Sequence, residues 1–209
     1  MSEPRKVRNF DSVSLTGIGR LIIIQTDKES LTIQAEDNLL PYIETQVKGR
    51  TLTIGIRDFV SITPREKITY FLSVKDLSVL QISGLGDIHL SGLHTDKLSV
   101  EFSGGGNAVI EDLLTKNISI KLSGAGDFSL SGQVDAQALE ISGAGNYDAG
   151  DLLSKTATVE ISGAGNAIIW VTDMLTIELS GMGNLQYYGN PSIKQEISGL
   201  GKVESLGEK

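Results

Sequence analysis

The sequence predicts an all-β chain: a right-handed, single-stranded parallel β-helix of about seven regular coils, preceded by irregular N-terminal β structure. Three observations carry that prediction. A five-residue motif, Ser-Gly-x-Gly-Asp/Asn, recurs at a nearly constant step. The residues around it alternate apolar and polar with the period of a strand. The 24 glycines of the 209-residue chain are segregated, four before residue 83 and 20 after it.

The repeat comes first. Its copies are Ser83-Gly84-Leu85-Gly86-Asp87, Ser103-Gly104-Gly105-Gly106-Asn107, Ser123-Gly124-Ala125-Gly126-Asp127 and Ser142-Gly143-Ala144-Gly145-Asn146. Then follow Ser162-Gly163-Ala164-Gly165-Asn166, Ser180-Gly181-Met182-Gly183-Asn184 and a variant, Ser198-Gly199-Leu200-Gly201-Lys202. The steps are 20, 20, 19, 20, 18 and 18 residues. A lone Gly-x-Gly says little, but seven in step are the signature of a solenoid. Thr16-Gly17-Ile18-Gly19-Arg20 is a degenerate relative near the N-terminus.

The columns define the strands. Before each Ser stands an apolar residue: Ile82, Phe102, Leu122, Ile141, Ile161, Leu179, Ile197. One position back is polar: Gln81, Glu101, Lys121, Glu140, Glu160, Glu178, Glu196. One further back is apolar in six copies (Leu80, Val100, Ile120, Leu139, Val159, Ile177) and Gln195 in the seventh. After the glycines a second strand points Ile88, Ala108, Phe128, Tyr147, Ala167, Leu185 and Val203 inward. Two residues on, Leu90, Ile110, Leu130, Ala149, Ile169 and Tyr187 point the same way, and Leu93, Leu113 and Leu152 add a third position. Matching columns one coil apart require parallel stacking; a meander would turn alternate copies around. At a strand spacing of ~4.8 Å, seven coils make a rod on the order of 30–35 Å long. Crossover chirality predicts the right-handed sense. The corner glycines supply positive φ or close backbone approach. The variable middle residue reads as a position near the core.

Residues 1–76 are expected to form irregular first coils or a β cap continuous with the regular repeats of 77–209. Strands are predicted at Val13–Leu15, Leu21–Gln25, Leu31–Gln34, Ile43–Val47, Leu52–Ile56 and Ile68–Val74. Lys48-Gly49-Arg50 reads as a hairpin turn and Asp37–Pro41 as a helical turn. A cap shields a sheet edge that would otherwise pair with another chain. At the other end, Lys202, Glu204, Glu208 and Lys209 charge the last coil.

Charge divides where the glycines do. Residues 1–82 carry 11 Lys+Arg and 10 Asp+Glu; residues 83–209 carry 7 Lys, no Arg and 16 Asp+Glu. An acidic, arginine-free half is a poor partner for phosphate backbones or anionic membranes, so nucleic-acid binding is not expected. No run of 18 apolar residues predicts membrane insertion. With no Cys there are no thiol nucleophiles and no Cys-based zinc sites. Met1-Ser2-Glu3-Pro4-Arg5-Lys6 has no apolar stretch after it and does not read as a secretory signal. Both a cytoplasmic chain and a trimmed extracytoplasmic one remain open.

Each chemical candidate has a plainer counterpart. The Asx column (Asp87, Asn107, Asp127, Asn146, Asn166, Asn184) invites calcium, but only two of six are Asp and they lie two coils apart. A ladder of hydrogen bonds along the rod is the favoured reading. The Ser column has no base in fixed relation to it, which argues against nucleophilic catalysis. The Glu column reads as a solubilising stripe. Outward second-strand residues (His89, Val109, Ser129, Asp148, Ile168, Gln186, Glu204) form no acidic cluster of the kind glycoside hydrolysis needs. No cofactor motif is present. Trp170, Tyr187 and Tyr188 share a phase in adjacent coils and are weak candidates for a sugar- or protein-binding patch.

Nearly all of residues 8–205 resembles the bacterial auto-transporter adhesin "head GIN domain" family. The resemblance rests on Arg8-Asn9-Phe10-Asp11-Ser12-Val13, Leu31-Thr32-Ile33-Gln34-Ala35-Glu36-Asp37-Asn38-Leu39-Leu40 and Thr51-Leu52-Thr53-Ile54. The series opening at Leu80-Gln81-Ile82-Ser83-Gly84-Leu85-Gly86-Asp87 follows these in order. It implies a β-solenoid from a bacterium, usually outside the cytoplasm, and supplies no catalytic residues. The expected function is a non-enzymatic cell-envelope module, without cofactors, that presents its ladders to a protein or glycan, with room for a homo-oligomer. The alternatives are a carbohydrate-active β-helix enzyme or polysaccharide-binding protein, and a self-assembling cytoplasmic scaffold resembling bactofilins.

Overall fold

A computed structural model describes all residues, 1–209. The N-terminal part contains β1 (Ser2–Arg5), β2 (Ser12–Leu15), β3 (Ile18–Gln25), β4 (Ser30–Gln34), a 3₁₀ turn at Leu40–Tyr42, β5 (Ile43–Lys48), β6 (Thr51–Ile56) and β7 (Thr69–Val74). The repeats contain β8 (Val79–Ile82), β9 (Leu85–Ser91), β10 (His94–Phe102), β11 (Ala108–Leu122) and β12 (Phe128–Ile141). They continue as β13 (Ala144–Ile161), β14 (Ala164–Leu179), β15 (Asn184–Tyr188), β16 (Ser192–Ile197) and β17 (Val203–Gly207). No helix is long and apolar enough to cross a membrane.

The repeats form a parallel β-solenoid whose registers are the columns of the sequence. Val100 pairs with Ile120, Ile120 with Leu139, Leu139 with Val159, Val159 with Ile177 and Ile177 with Gln195. The strand after each corner stacks likewise, with Ala108 between Ile88 and Phe128, and Tyr147 above Phe128. There are about six turns rather than seven, because seven corners bound six coils. The inward residues join one cluster of 51 buried side chains running the length of the rod. Inside it Phe102 meets Phe128 edge to face, with ring centres 5.3 Å apart.

Two strand ladders run along the rod. One is ordered β5-β6-β2-β8-β10-β11-β12-β13-β14-β16; the other is β1-β4-β7-β3-β9-β11-β12-β13-β14-β15-β17. Strands β11 to β14 bend through both. The chain therefore enters the stack one coil in from its end. The β2–β3 coil lies between β6–β7 and β8–β9, and Thr16–Arg20 continues the corner column, with Gly19 beside Gly86. Strands β4 and β5 close this end by antiparallel pairing with β7 and β6. Val7, Phe10, Leu39 and Leu40 are buried there. Gly49 turns the β5–β6 hairpin at φ 63°.

One expectation is corrected. The middle residue of the corner motif points into solvent, not toward the core: Leu85, Met182 and Leu200 are 67, 68 and 84% exposed. The strand alternation runs unbroken through the corner: with Ile82 and Ile88 inward, Ser83, Leu85 and Asp87 all fall on the outward side.

The interior holds one polar cluster. Gln137, 2% exposed, donates through Nε2 to Ser154 Oγ at 2.8 Å, while its Oε1 accepts from the Tyr147 hydroxyl at 3.3 Å. Ser154 Oγ donates onward to the Trp170 carbonyl at 2.8 Å. Burial pushes the Tyr147 phenol well above its ordinary value, so it stays a donor. Gln137→Leu is expected to cost about 1–3 kcal/mol, because it leaves the buried Tyr147 hydroxyl without its acceptor while Ser154 keeps its bond to the Trp170 carbonyl. Adding Tyr147→Phe should recover part of that loss, as a urea-denaturation cycle would show.

Candidate functional site

The surface feature that the repeat creates is the corner face. Its backbone is unusually tight. The N–H of each middle residue donates to the carbonyl of the first glycine one coil back, as in Gly105 to Gly84 (3.1 Å), Ala125 to Gly104 (3.0 Å) and Ala164 to Gly143 (3.0 Å). A Cβ on Gly104 would lie 1.8 Å from the Gly84 oxygen, and one on Gly126 1.8 Å from the Gly106 oxygen. Close approach, more than positive φ, is what demands glycine: among the seven Ser-led corners only Gly106 (φ 131°) has a positive φ.

Beside the glycines the Asx side chains make a continuous ladder. Oδ1 of Asp87 accepts from the Asn107 N–H (3.2 Å), Asn107 from Asp127 (3.1 Å), and Asp127 from both the backbone and the side-chain amide of Asn146 (3.0 and 2.8 Å). Asn146 accepts from Asn166 Nδ2 (3.1 Å), Asn166 from Asn184 Nδ2 (3.0 Å), and Asn184 from the Lys202 N–H (3.1 Å). No group of three or more His, Cys, Asp or Glu is placed to hold a metal ion.

The loop after β6, residues 57–67, leaves the stack where the next corner would stand and crosses the start of this column. It forms a crevice of about 590 Å³ lined by Gly19, Gly86, Gly106, Arg65, Lys67 and Asp87. Lys67 Nζ donates to Asp87 Oδ2 at 2.6 Å, and this bond holds the Asp87 carboxyl below its usual range. A smaller crevice of about 360 Å³ lies on the loop's other side, against Ser83, Gly84 and Leu85. Phe59, at the loop tip, is fully exposed. Sequence reasoning missed this place. Its only local signal was a strand-poor interval holding Arg57, Pro64, Arg65 and Lys67 between two apolar strands.

The lowered Asp87 carboxyl fixes a sign. Its pairing contributes stability above the ordinary carboxylate value of ~3.9, and that contribution is lost as pH falls through the lowered folded value. Lys67→Ala should therefore lower Tm at neutral pH, with the deficit closing in acid; a Tm series from neutral to acid pH measures it.

The aromatic candidates do not form one patch. Tyr187 is half-buried and packs on the core. Trp170 and Tyr188 are cross-strand neighbours, with Lys209 Nζ 5.3 and 5.2 Å from their ring centres. Lys209 also donates to the Gly150 carbonyl at 2.6 Å and pairs with Asp151. The Glu column is exposed on the next face. Lys121 bonds Glu140 at 3.0 Å, and Gln81 donates to Glu101 at 2.9 Å. Asp148 accepts from the Gly150 N–H at 3.1 Å.

Comparison with known proteins fits this architecture. A family model described as "Putative auto-transporter adhesin, head GIN domain" matches residues 9–191. The crystal structure of a putative adhesin from Bacteroides fragilis NCTC 9343 is similar, at 26% identity and TM-score 0.95, covering 99% of this chain and 96% of that one. A putative adhesin from Parabacteroides merdae ATCC 43184 shares the fold at 22% identity and TM-score 0.76, over 99% and 95% of the two chains. So does a structure described as a putative lipid binding protein from Parabacteroides distasonis ATCC 8503, at 21% identity and TM-score 0.80, over 99% and 96%. No curated protein matches the sequence.

Proposed function

We propose, from the premise that this chain belongs to the head GIN domain family, that it is a non-enzymatic binding module of the bacterial cell envelope. It works outside the cytoplasm and offers its corner face to a glycan or protein partner. The observation that carries this reading is the corner face itself. A row of Ser hydroxyls, Asx side chains and exposed middle residues runs the length of the rod and meets cationic side chains at the Arg65–Lys67 crevice and at Lys202. Such a surface has hydrogen-bonding groups at coil spacing and no nucleophile paired with a base. It is chemically suited to a hydroxyl-rich or extended ligand.

The test is a glycan array together with a pull-down on envelope material at micromolar protein, using wild type and an Arg65→Ala/Lys67→Ala variant. Saturable binding should weaken roughly tenfold for each charged hydrogen bond lost. Blank results with wild type in both assays would remove the reading.

A further inference from the structure

The two ends of the rod differ. At the N-terminal end the antiparallel strands β1, β4 and β5 and the buried Leu39 and Leu40 cover the stack. At the other end no strand of residues 1–209 does. Strand β16 is paired only with β14, and β17 only with β15. Ile193 and Ile197 stand 42 and 41% exposed, whereas their partners one coil in, Leu175 and Leu179, are 0 and 1% exposed. An open parallel edge with apolar side chains invites another strand.

The sequence of that edge says which strand. Residues 193–197 read Ile-Lys-Gln-Glu-Ile. Turned end for end about Gln195, the segment complements itself. Ile193 falls opposite Ile197, Lys194 opposite Glu196, and Gln195 opposite its own copy. The faces agree as well. Ile193, Gln195 and Ile197 continue the inward columns of Leu175, Ile177 and Leu179, while Lys194 and Glu196 continue the outward ones. Directly opposed residues in an antiparallel pair share a face, so apolar meets apolar inside and cation meets anion outside. Gln195 is the one polar residue in a column that is otherwise Leu80, Val100, Ile120, Leu139, Val159 and Ile177. At the centre of such a pair the two amides satisfy each other. Lys194 and Glu196 take part in none of the chain's ion pairs, and the in-chain neighbour of Glu196 is Glu178, a like charge.

We infer that the C-terminal end of the rod binds a second copy of this chain, by antiparallel pairing of β16 with itself about a two-fold axis through Gln195. The interface is isologous and closed. An isologous contact uses up its own surface, so association stops at two copies and yields a rod of double length with a corner face on each half. The inference goes beyond the proposed function and does not depend on it: a dimer would form with or without an envelope ligand.

The experiment is sedimentation velocity on the full chain across micromolar concentrations, with charge reversals. Wild type should sediment as a dimer. Lys194→Glu replaces two opposite-charge contacts per dimer with two like-charge ones, and so does Glu196→Lys; each should weaken the dimer roughly tenfold or more. The double variant Lys194→Glu/Glu196→Lys recreates both contacts with their signs exchanged and should recover the wild-type dimer. A damaged fold would not show that recovery. The chain has no Cys, so Gln195→Cys introduces a single thiol on the axis and should oxidise to a disulfide-linked dimer. Ser192→Cys should not, because its two copies would lie ~20 Å apart. A monomer at all concentrations, a dimer indifferent to the single reversals, or growth into longer filaments would each overturn the inference.

Discussion

Replacing Gly126 by Ala is expected to destabilise the fold by about 3 kcal/mol, roughly 6–12 °C in Tm for a chain of this size. The added Cβ would sit 1.8 Å from the Gly106 carbonyl oxygen and 3.0 Å from its carbon, so backbone must move. Neither strand is free to do so. The Gly126 N–H donates to the Ala144 carbonyl at 3.1 Å and the Gly106 N–H to the Ala125 carbonyl at 3.2 Å, which ties both to the coil beyond. The chain carries its own control in the run Gly104-Gly105-Gly106. Gly105→Ala meets only the tip of Leu85, at 3.0 Å, and Ala125, Ala144 and Ala164 already occupy the same column. It should change stability by no more than about 0.5 kcal/mol. Gly104→Ala should behave like Gly126→Ala, since its Cβ would also meet a carbonyl oxygen at 1.8 Å. Thermal melts of the three variants check the order. Equal losses at Gly105 and Gly126 would show that the tight stacking of the corner is not what requires glycine.

Phe128→Ala should cost about 3–5 kcal/mol. Phe128 is 1% exposed and stands between Ala108 and Tyr147 in one inward column, with Phe102 against its ring from the opposite strand. Ala108 is too small to fill the space, and Tyr147 is held by its bond to Gln137. The cavity therefore persists, and its walls lose their contacts on one side. Phe128→Leu keeps most of the volume and should lose only about 1 kcal/mol. Urea denaturation with an unchanged m-value would place the effect in the native state.

The legible part of the molecule was the part where neighbours in space are one period apart in sequence. Registers such as Val100–Ile120 and Ile120–Leu139 could be read by aligning the repeats, because each column residue meets its own equivalent. The Asx ladder is a property of the same kind, set by one residue per coil. The N-terminal strands were legible as strands, from alternation in Leu21–Gln25 or Ile68–Val74, but not in their order. Strand β1 escaped notice, since Ser2-Glu3-Pro4-Arg5 has no apolar alternation and pairs only at the outer edge. The Lys67–Asp87 bond and the crevice around it join a loop to a corner that no period relates.

The sequence by itself determined the solenoid, its parallel registers, its inward residues and the positions that must be glycine. Those depend on two short-range rules, alternation along a strand and identity between coils. Only the tertiary structure decided that β2–β3 is inserted between β6–β7 and β8–β9, and that within residues 1–209 one end of the rod is covered while the other is open. The reason is physical. Which strand closes an end depends on backbone hydrogen bonds between segments that no repeat relates, and no local pattern of side chains encodes it.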